Sequence, residues 1–432
     1  MTRSSPSLSR RRVLALGAAA ALTAPSIARS QSQARLLIIG GGFGGASAAR
    51  FARLTYPEIA VTVIEPNPVF VTCPYGNLLL AGERTLDQIT HSYDGLKARG
   101  VTFVHDRVVA IDPVAKSVRT NGGQTLGYDK LIVSPGIALR WGAIEGYDEA
   151  AADVMPHAWI PGTGQQTTLL RRQLEAMPDG GVFAMVIPPN PFRCPPGPYE
   201  RLSMVASYLK QHKPRAKILA LDAKDAFSKQ ALFQDAWAEL YPNMIEWVPA
   251  NKDGKVVRVD VRETVLETEF GTRHKVDVAN VVPPQSAAAL AISSGLANNT
   301  GWVPVNPRTF EATVARDIHV IGDANNGAPM PKSGYIANST AKQAVTAAIA
   351  SLQGRPVPAD PVYFNTCYSH VGRDYGISVV GVFRPTDTGF AETPNSGGVS
   401  PRGPLAQHRL QRRMESIYAD SWYASITADM FS

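Results

Sequence analysis

The sequence is short of charge, of cysteine and of long apolar runs, and each shortage removes a class of protein. Asp, Glu, Lys and Arg make up 18 % of the 432 residues. That is below the ~25 % of an average globular chain, so long solvated charge tracts are not expected. The net charge of +7 is concentrated in residues 1–33, where Arg3, Arg10, Arg11, Arg12 and Arg29 occur without any acid, leaving +2 for the remainder. No Lys/Arg run follows that segment, which argues against a nucleic-acid surface. Beyond residue 30 no apolar run approaches the ~18 residues of a membrane span, so stable membrane insertion is not expected. Cysteine occurs only at Cys73, Cys194 and Cys367. No C-x-x-C-H is present, so no c-type haem is expected on this chain, and no metal site is expected either.

The N-terminal charge has its own explanation. "SRRRVLALGAAAALTAPSIA" joins an arginine cluster to a short apolar run and then to small residues. Ser9-Arg10-Arg11 followed by Val13-Leu14 has the form of a twin-arginine export signal. Residues 1–30 are therefore set aside from the fold, with Ala28 a suitable cleavage position, and the expected location is the periplasm. In that oxidising compartment two of the three cysteines are expected to pair, leaving one that needs another role.

What is present begins with "ARLLIIGGGFGGASAARFARLTYPEIAVTVIEPN". Residues 36–39 read as a buried strand, residues 46–54 as a helix and residues 61–64 as a second strand. Gly40, Gly42 and Gly45 satisfy G-x-G-x-x-G, and Glu65 closes the second strand. The order matters chemically. The glycines let the backbone approach a pyrophosphate at a helix N-terminus, and the acid binds a ribose hydroxyl. Further along, residues 131–133 form a buried strand ending in Ser-Pro-Gly, and residues 318–321 one ending in Gly322-Asp323. The second suits an acid on the ribityl chain of FAD. Val108, Pro135, Gly136, Gly322 and Asp323 join Gly40, Gly42, Gly45 and Glu65 as candidate cofactor-binding positions.

A second βαβ unit follows the same outline, with a strand over residues 182–187, a helix over 201–210 and the strand "AKILALDAK". Its loop, "PPNPFRCPPGPYE", carries six prolines and one glycine, Gly197. Proline has no N–H with which to cradle phosphate, so NAD(P) is not expected here. The predicted fold is α/β, with two Rossmann-like three-layer domains and a C-terminal α+β interface domain. The FAD-binding domain is discontinuous, 34–144 and 276–352. The second Rossmann-like domain spans 145–275, and the interface domain 353–432. The helical tail at 405–431 reads as a docking helix, with a membrane-surface helix as its rival.

The motifs "VTCPYGN", "RCPPGPYER", "VIGDA", "PMPKSGY", "NTCYS" and "SWYASITADMF" carry a specific resemblance. The chain resembles the flavoprotein subunit of flavocytochrome c sulfide dehydrogenase, within the disulfide-reductase-like flavoprotein superfamily that also holds the sulfide:quinone oxidoreductases. One departure is "VTCPYGNLLL", where the residues after Cys73 differ from the usual Ser-Asn pattern. The resemblance implies FAD bonded covalently through Cys73, and a redox-active disulfide between Cys194 and Cys367. It implies sulfide as substrate and a separate c-type cytochrome subunit as electron acceptor. Glu200, six residues after Cys194, is the candidate acid/base. Lys332 in "MPKSG" is a candidate positive charge beside the flavin. Two other functions fit the same residues. One is a sulfide:quinone oxidoreductase at the membrane surface, the other a non-catalytic electron-transfer flavoprotein with a structural disulfide.

Overall fold

The computed structural model describes residues 33–432, so the segment expected to be a twin-arginine signal lies outside the described residues. Strand β1 (Arg35–Ile39) is apolar after its first residue and buried on both faces, as parallel strands sandwiched between helices must be. Each such Leu or Ile contributes ~1.5–3 kcal/mol on leaving water. Helix α1 (Phe43–Thr55) follows, with Gly42 as its N-cap. Its buried small residues Gly44, Gly45, Ala46, Ser47 and Ala48 allow it to lie close to the sheet. It ends at Tyr56, whose successor Pro57 disfavours further helix. Strands β2 (Ala60–Ile64), β3 (Thr102–Val104) and β4 (Lys130–Val133) complete this part of the sheet.

The second βαβ unit comprises β5 (Val182–Ile187), α2 (Gly197–His212), β6 (Lys217–Asp222), α3 (Gln230–Leu240) and β7 (Ile245–Val248). Strand β8 (Val278–Val281) follows, then β9 (Ile318–Val320) and the long helix α4 (Gly334–Leu352). A C-terminal hairpin, β10 (Tyr363–Gly372) and β11 (Tyr375–Pro385), leads to α5 (Leu405–Phe431).

Pairing sorts these strands into two parallel sheets. The first runs β9-β4-β1-β2-β3 and the second β7-β6-β5-β8. The first sheet therefore takes its strands from both sides of the segment that builds the second. The fold is the predicted α/β class, with doubly wound units that place ligand-binding loops at the carboxyl ends of the strands. The antiparallel hairpin puts Cys367 opposite Val379. Helix α5 packs along that hairpin and reaches α1. The carbonyl of Ser432, which caps it, accepts from the Nε of Arg50 and of Arg99, each at 2.7 Å. Among the described residues no helix is long and apolar enough to cross a membrane.

Two boundaries differ from the sequence expectation, each for a local reason. Helix α2 starts at Gly197 rather than 201, because Pro198 at its start loses no helical hydrogen bond. After Gly322-Asp323 comes only a short 3₁₀ turn (Gly322–Ala324). The long helix waits until Gly334, where the Ser333 hydroxyl caps it by accepting from the Ile336 N–H at 3.1 Å.

Candidate functional site

The first glycine loop leaves β1 in a left-handed turn, Gly40 having φ +95°. A Cβ on Gly40 would lie 2.2 Å from the Ser134 carbonyl oxygen, and one on Gly45 1.8 Å from that of Gly40. These glycines therefore set how closely α1 approaches the strands, while Gly42 caps the helix N-terminus. Glu65, at the end of β2, is held by the Gly41 N–H at 2.8 Å and by the backbone and side-chain nitrogens of Asn67 at 3.0 Å each. Its carboxylate is thus oriented with lone pairs to spare for a ribose hydroxyl.

A cavity of about 1010 Å³ runs from Gly40, Gly42 and Glu65 past Val108, Pro135 and Gly136 to Gly322 and Asp323. It continues to Cys73, Cys194, Cys367 and Glu200. Gly45 supports the loop from behind, while Lys332 stands outside the lining. The cavity suits FAD. The N-terminal end of α1, the acid Glu65 and the acid Asp323 all border it. The indole N–H groups of Trp159 and Trp422, both in the lining, are buried without a partner in the protein. Buried donors are rarely left unmet, so a polar ligand is the natural partner.

The three sulfurs come from different elements. Cys73 follows a short strand (Val69–Val71), Cys194 precedes α2, and Cys367 lies within β10. All three are free thiols in the structure. Cys194 adopts a left-handed conformation at φ +59°, uncommon and costly for a residue with a Cβ. It is pinned there by its N–H donating to the Lys332 carbonyl and its own carbonyl accepting from the Gly197 N–H, both at 2.8 Å. Gly197 is needed for this sulfur. A Cβ there would meet the Cys194 Sγ at 2.8 Å and the Trp159 ring at 3.0 Å. Burial pushes all three thiols upward, and for Cys194 the neighbouring Cys367 and Glu200 add to the effect.

Glu200 sits in the first turn of α2 with both oxygens engaged. Oε2 accepts from Asn77 Nδ2 at 2.7 Å, and Oε1 from the His370 N–H at 2.8 Å. Asn77 in turn accepts from Arg201 Nε at 3.0 Å. The Arg201 guanidinium is buried, donating also to the carbonyls of His157 and Ala158 and to Asn280 Oδ1. Burial pushes Arg201 down to about 10, opposed by Cys194 and Glu200. Asn77 and Arg201 stand inside "VTCPYGN" and "RCPPGPYER". The signal for them was thus present in the sequence, but nothing there said that the two segments meet.

The Lys332 ammonium is engaged by backbone carbonyls. It donates to those of Asp323 and Asn325 at 2.8 and 2.7 Å, and lies 3.7 Å from the Trp302 ring centre. Burial pushes it down to about 8. It braces the turn that carries Asp323 and shapes the cavity wall from behind.

In the second unit the acid at the end of the strand is engaged by side chains. Asp222, at the end of β6 where a dinucleotide unit presents its ribose acid, is fully buried. It accepts from the Tyr199 hydroxyl at 2.6 Å, the Trp247 indole at 3.0 Å and Lys224 Nζ at 2.6 Å. Phe227 stacks on Tyr199 with ring centres 3.6 Å apart. The acid is saturated, and aromatic rings occupy the space beside it.

Comparison with known proteins gives three family matches along the chain. Residues 34–158 match the pyridine nucleotide-disulphide oxidoreductase model. Residues 167–283 match the central region of the sulfide dehydrogenase [flavocytochrome c] flavoprotein chain, and residues 359–431 the flavin-binding region of flavocytochrome c sulphide dehydrogenase. A sulfide dehydrogenase [flavocytochrome c] flavoprotein chain from Chlorobaculum thiosulfatiphilum is 54 % identical over 43 residues, 10 % of this chain and 90 % of that sequence. The mitochondrial sulfide:quinone oxidoreductase of Mus musculus is 25 % identical over 297 residues, covering 67 % of this chain and 65 % of its own length. In structure, the sulfide:quinone oxidoreductase of Aquifex aeolicus superposes with a TM-score of 0.69 over 92 % of both chains at 19 % identity. That likeness speaks to the fold.

Proposed function

Because the chain belongs to the family of flavocytochrome c sulfide dehydrogenase flavoproteins, related to the sulfide:quinone oxidoreductases, we propose that it is a periplasmic sulfide dehydrogenase. It oxidises sulfide to sulfane sulfur or polysulfide through a Cys194–Cys367 redox disulfide, with FAD covalently held at Cys73 and a c-type cytochrome subunit as acceptor. The observation that carries this reading is the convergence of Cys73, Cys194, Cys367 and Glu200 on one cavity that also holds the glycine loop, Glu65 and Asp323. When bound, FAD supplies a two-electron acceptor beside the sulfurs and one-electron chemistry toward a haem.

The chain's own residues do the rest. Hydrosulfide is a strong nucleophile toward a disulfide sulfur. Its attack breaks the Cys194–Cys367 bond, forms a new S–S bond to one cysteine, and releases the other as a thiolate carrying the electron pair. Arg193 and Arg201, both in the cavity lining, favour entry of the anion. Glu200, oriented by Asn77 and the His370 N–H, accepts the proton of the attacking sulfur. The left-handed turn and Pro195-Pro196 hold the Cys194 sulfur in one place, which lowers the entropy cost of closing the bridge. The engagement of Asp222 by Tyr199 and Lys224 supports an acceptor other than NAD(P).

A specific observation favours a second reading, sulfide:quinone oxidoreductase activity at a membrane surface. Leu410, Ile417 and Tyr418 of α5 are exposed apolar side chains. One experiment separates the two readings. The protein is purified with whatever co-elutes, sulfide is added, and loss of oxidised-flavin absorbance is followed with cytochrome c or a quinone as acceptor. Cys194→Ser is expected to abolish sulfide-dependent reduction, and retention of the full rate would sink the disulfide mechanism. A quinone analogue that competes with cytochrome c would select the second reading. Flavin released from the acid-denatured chain would remove the covalent role of Cys73.

A further inference from the structure

Lys229 is a buried ammonium that the mechanism above does not use. It lies at the start of α3, in the loop that follows β6, and adopts a left-handed conformation at φ +61°. It is 7 % exposed. Its Nζ donates to the Cys367 carbonyl at 2.9 Å and the Ser369 hydroxyl at 2.8 Å, with a longer approach of 3.5 Å to the Ile377 carbonyl. These partners are neutral oxygens, all on the β10–β11 hairpin. A buried ammonium held only by neutral oxygens keeps an uncompensated charge, and an anion placed beside it offsets that cost. The groups that raise its affinity for a proton are, in order, Cys367, Glu200, Cys194 and Glu415, against burial, which pushes it down to about 8. Cys367 is therefore the foremost charge partner of this lysine. The relation is mutual, since burial raises the Cys367 thiol while Lys229 leads the influences that lower it.

We propose that Lys229 is a positioning residue that holds negative charge on the Cys367 sulfur. The proposal rests on the reading of Cys367 as half of the redox disulfide. When hydrosulfide attacks the Cys194 sulfur, the Cys367 sulfur departs as a thiolate carrying the electron pair of the broken bond, and it is this anion that Lys229 holds. While Lys229 anchors on the Cys367 backbone carbonyl, the sulfur itself is faced by Asn365 Nδ2, 3.4 Å from the Cys367 Sγ. The two loops of the second unit thus serve the same pair of sulfurs. The loop after β5 delivers Cys194, and the loop after β6 delivers the cation for Cys367. In a dinucleotide-binding unit both loops would face a nucleotide.

The test reads the thiol itself. Holoenzyme is reduced, freed of reductant without air and pulsed with iodoacetamide across a pH series, and alkylation of Cys367 and Cys194 is quantified by mass spectrometry. Lys229→Met is expected to move the Cys367 alkylation midpoint upward by about one pH unit, a ~10-fold loss of thiolate at fixed pH. Lys229→Arg should keep the wild-type midpoint. An unchanged Cys367 midpoint in Lys229→Met overturns the proposal. If Lys229→Met does not fold, Ser369→Ala loosens the same ammonium and should shift the midpoint in the same direction by less, and no shift there is equally fatal. An upward shift in a protein that does not react with sulfide supports the Lys229–Cys367 pairing and overturns the sulfide reading alone.

Discussion

Glu200→Gln preserves the size of the side chain and removes one of its two acceptors. In the folded protein both neighbours of that carboxylate are donors, Asn77 Nδ2 at 2.7 Å and the His370 N–H at 2.8 Å. Asn77 cannot turn its amide over to help, because its Oδ1 already accepts from Arg201 Nε at 3.0 Å, and a guanidinium only donates. The backbone N–H of His370 has no alternative either. Glutamine can satisfy one of the two, and its amide nitrogen must then face the other donor to donor. Leaving a buried donor unmet costs about 1–3 kcal/mol, which should appear as a lower urea midpoint. If Glu200 also handles the proton of the attacking sulfur, sulfide-dependent flavin reduction should slow by ~100- to 10,000-fold. Chemical denaturation and stopped-flow absorbance on the same preparation read the two effects separately. A lowered midpoint with an unchanged rate would refute the proton-handling role and leave Glu200 as a strut. An unchanged midpoint would refute the geometric reasoning itself.

Two other perturbations test different parts of the structure. His157 is buried, and burial together with the charges of Arg201 and Arg193 pushes it down to about 4. The unfolded chain therefore binds the proton first. Its contribution is complete above pH ~6.5 and is lost as pH falls toward ~4, with about 3 kcal/mol at stake. The denaturation midpoint should fall across that window in the wild type and less steeply in His157→Gln, and parallel curves would contradict the assignment. Gly45→Ala places a methyl group 1.8 Å from the Gly40 carbonyl oxygen. Since that atom is backbone, α1 must shift, at about 1–3 kcal/mol. The flavin-to-protein ratio after purification should fall, and normal flavin content would show that the close approach is not needed.

Much of this architecture was legible because it is local. The run from residue 35 to 65 announces strand, glycine turn, helix, strand and acid by spacing alone, and the structure differs only by a few residues at element ends. The missing glycines of the second loop were legible in the same way. What escaped was the company each residue keeps. Asn77 meets Glu200 across 123 positions, and Lys229 meets Cys367 across 138. No periodicity or motif spacing encodes such pairs. Lys332 shows the converse. The resemblance makes it a candidate charge beside the flavin, yet the direction of its ammonium was decided by the open carbonyls of Asp323 and Asn325 and by the Trp302 face.

The sequence by itself determined the two βαβ units, the acid at Glu65, the loss of phosphate-cradling N–H groups around Cys194, and the scarcity of cysteine that makes each of the three conspicuous. These are consequences of backbone geometry and side-chain periodicity, which act over a turn or a strand. Tertiary structure alone decided that the residue-73, residue-194 and residue-367 segments share one cavity. It also decided that Asp222 is consumed by Tyr199, Trp247 and Lys224, and that a lysine from the neighbouring loop is buried against the Cys367 strand. Those outcomes depend on how sheets and hairpin pack, because desolvation and hydrogen-bond satisfaction act between groups that are close in space, however far apart they are in the chain.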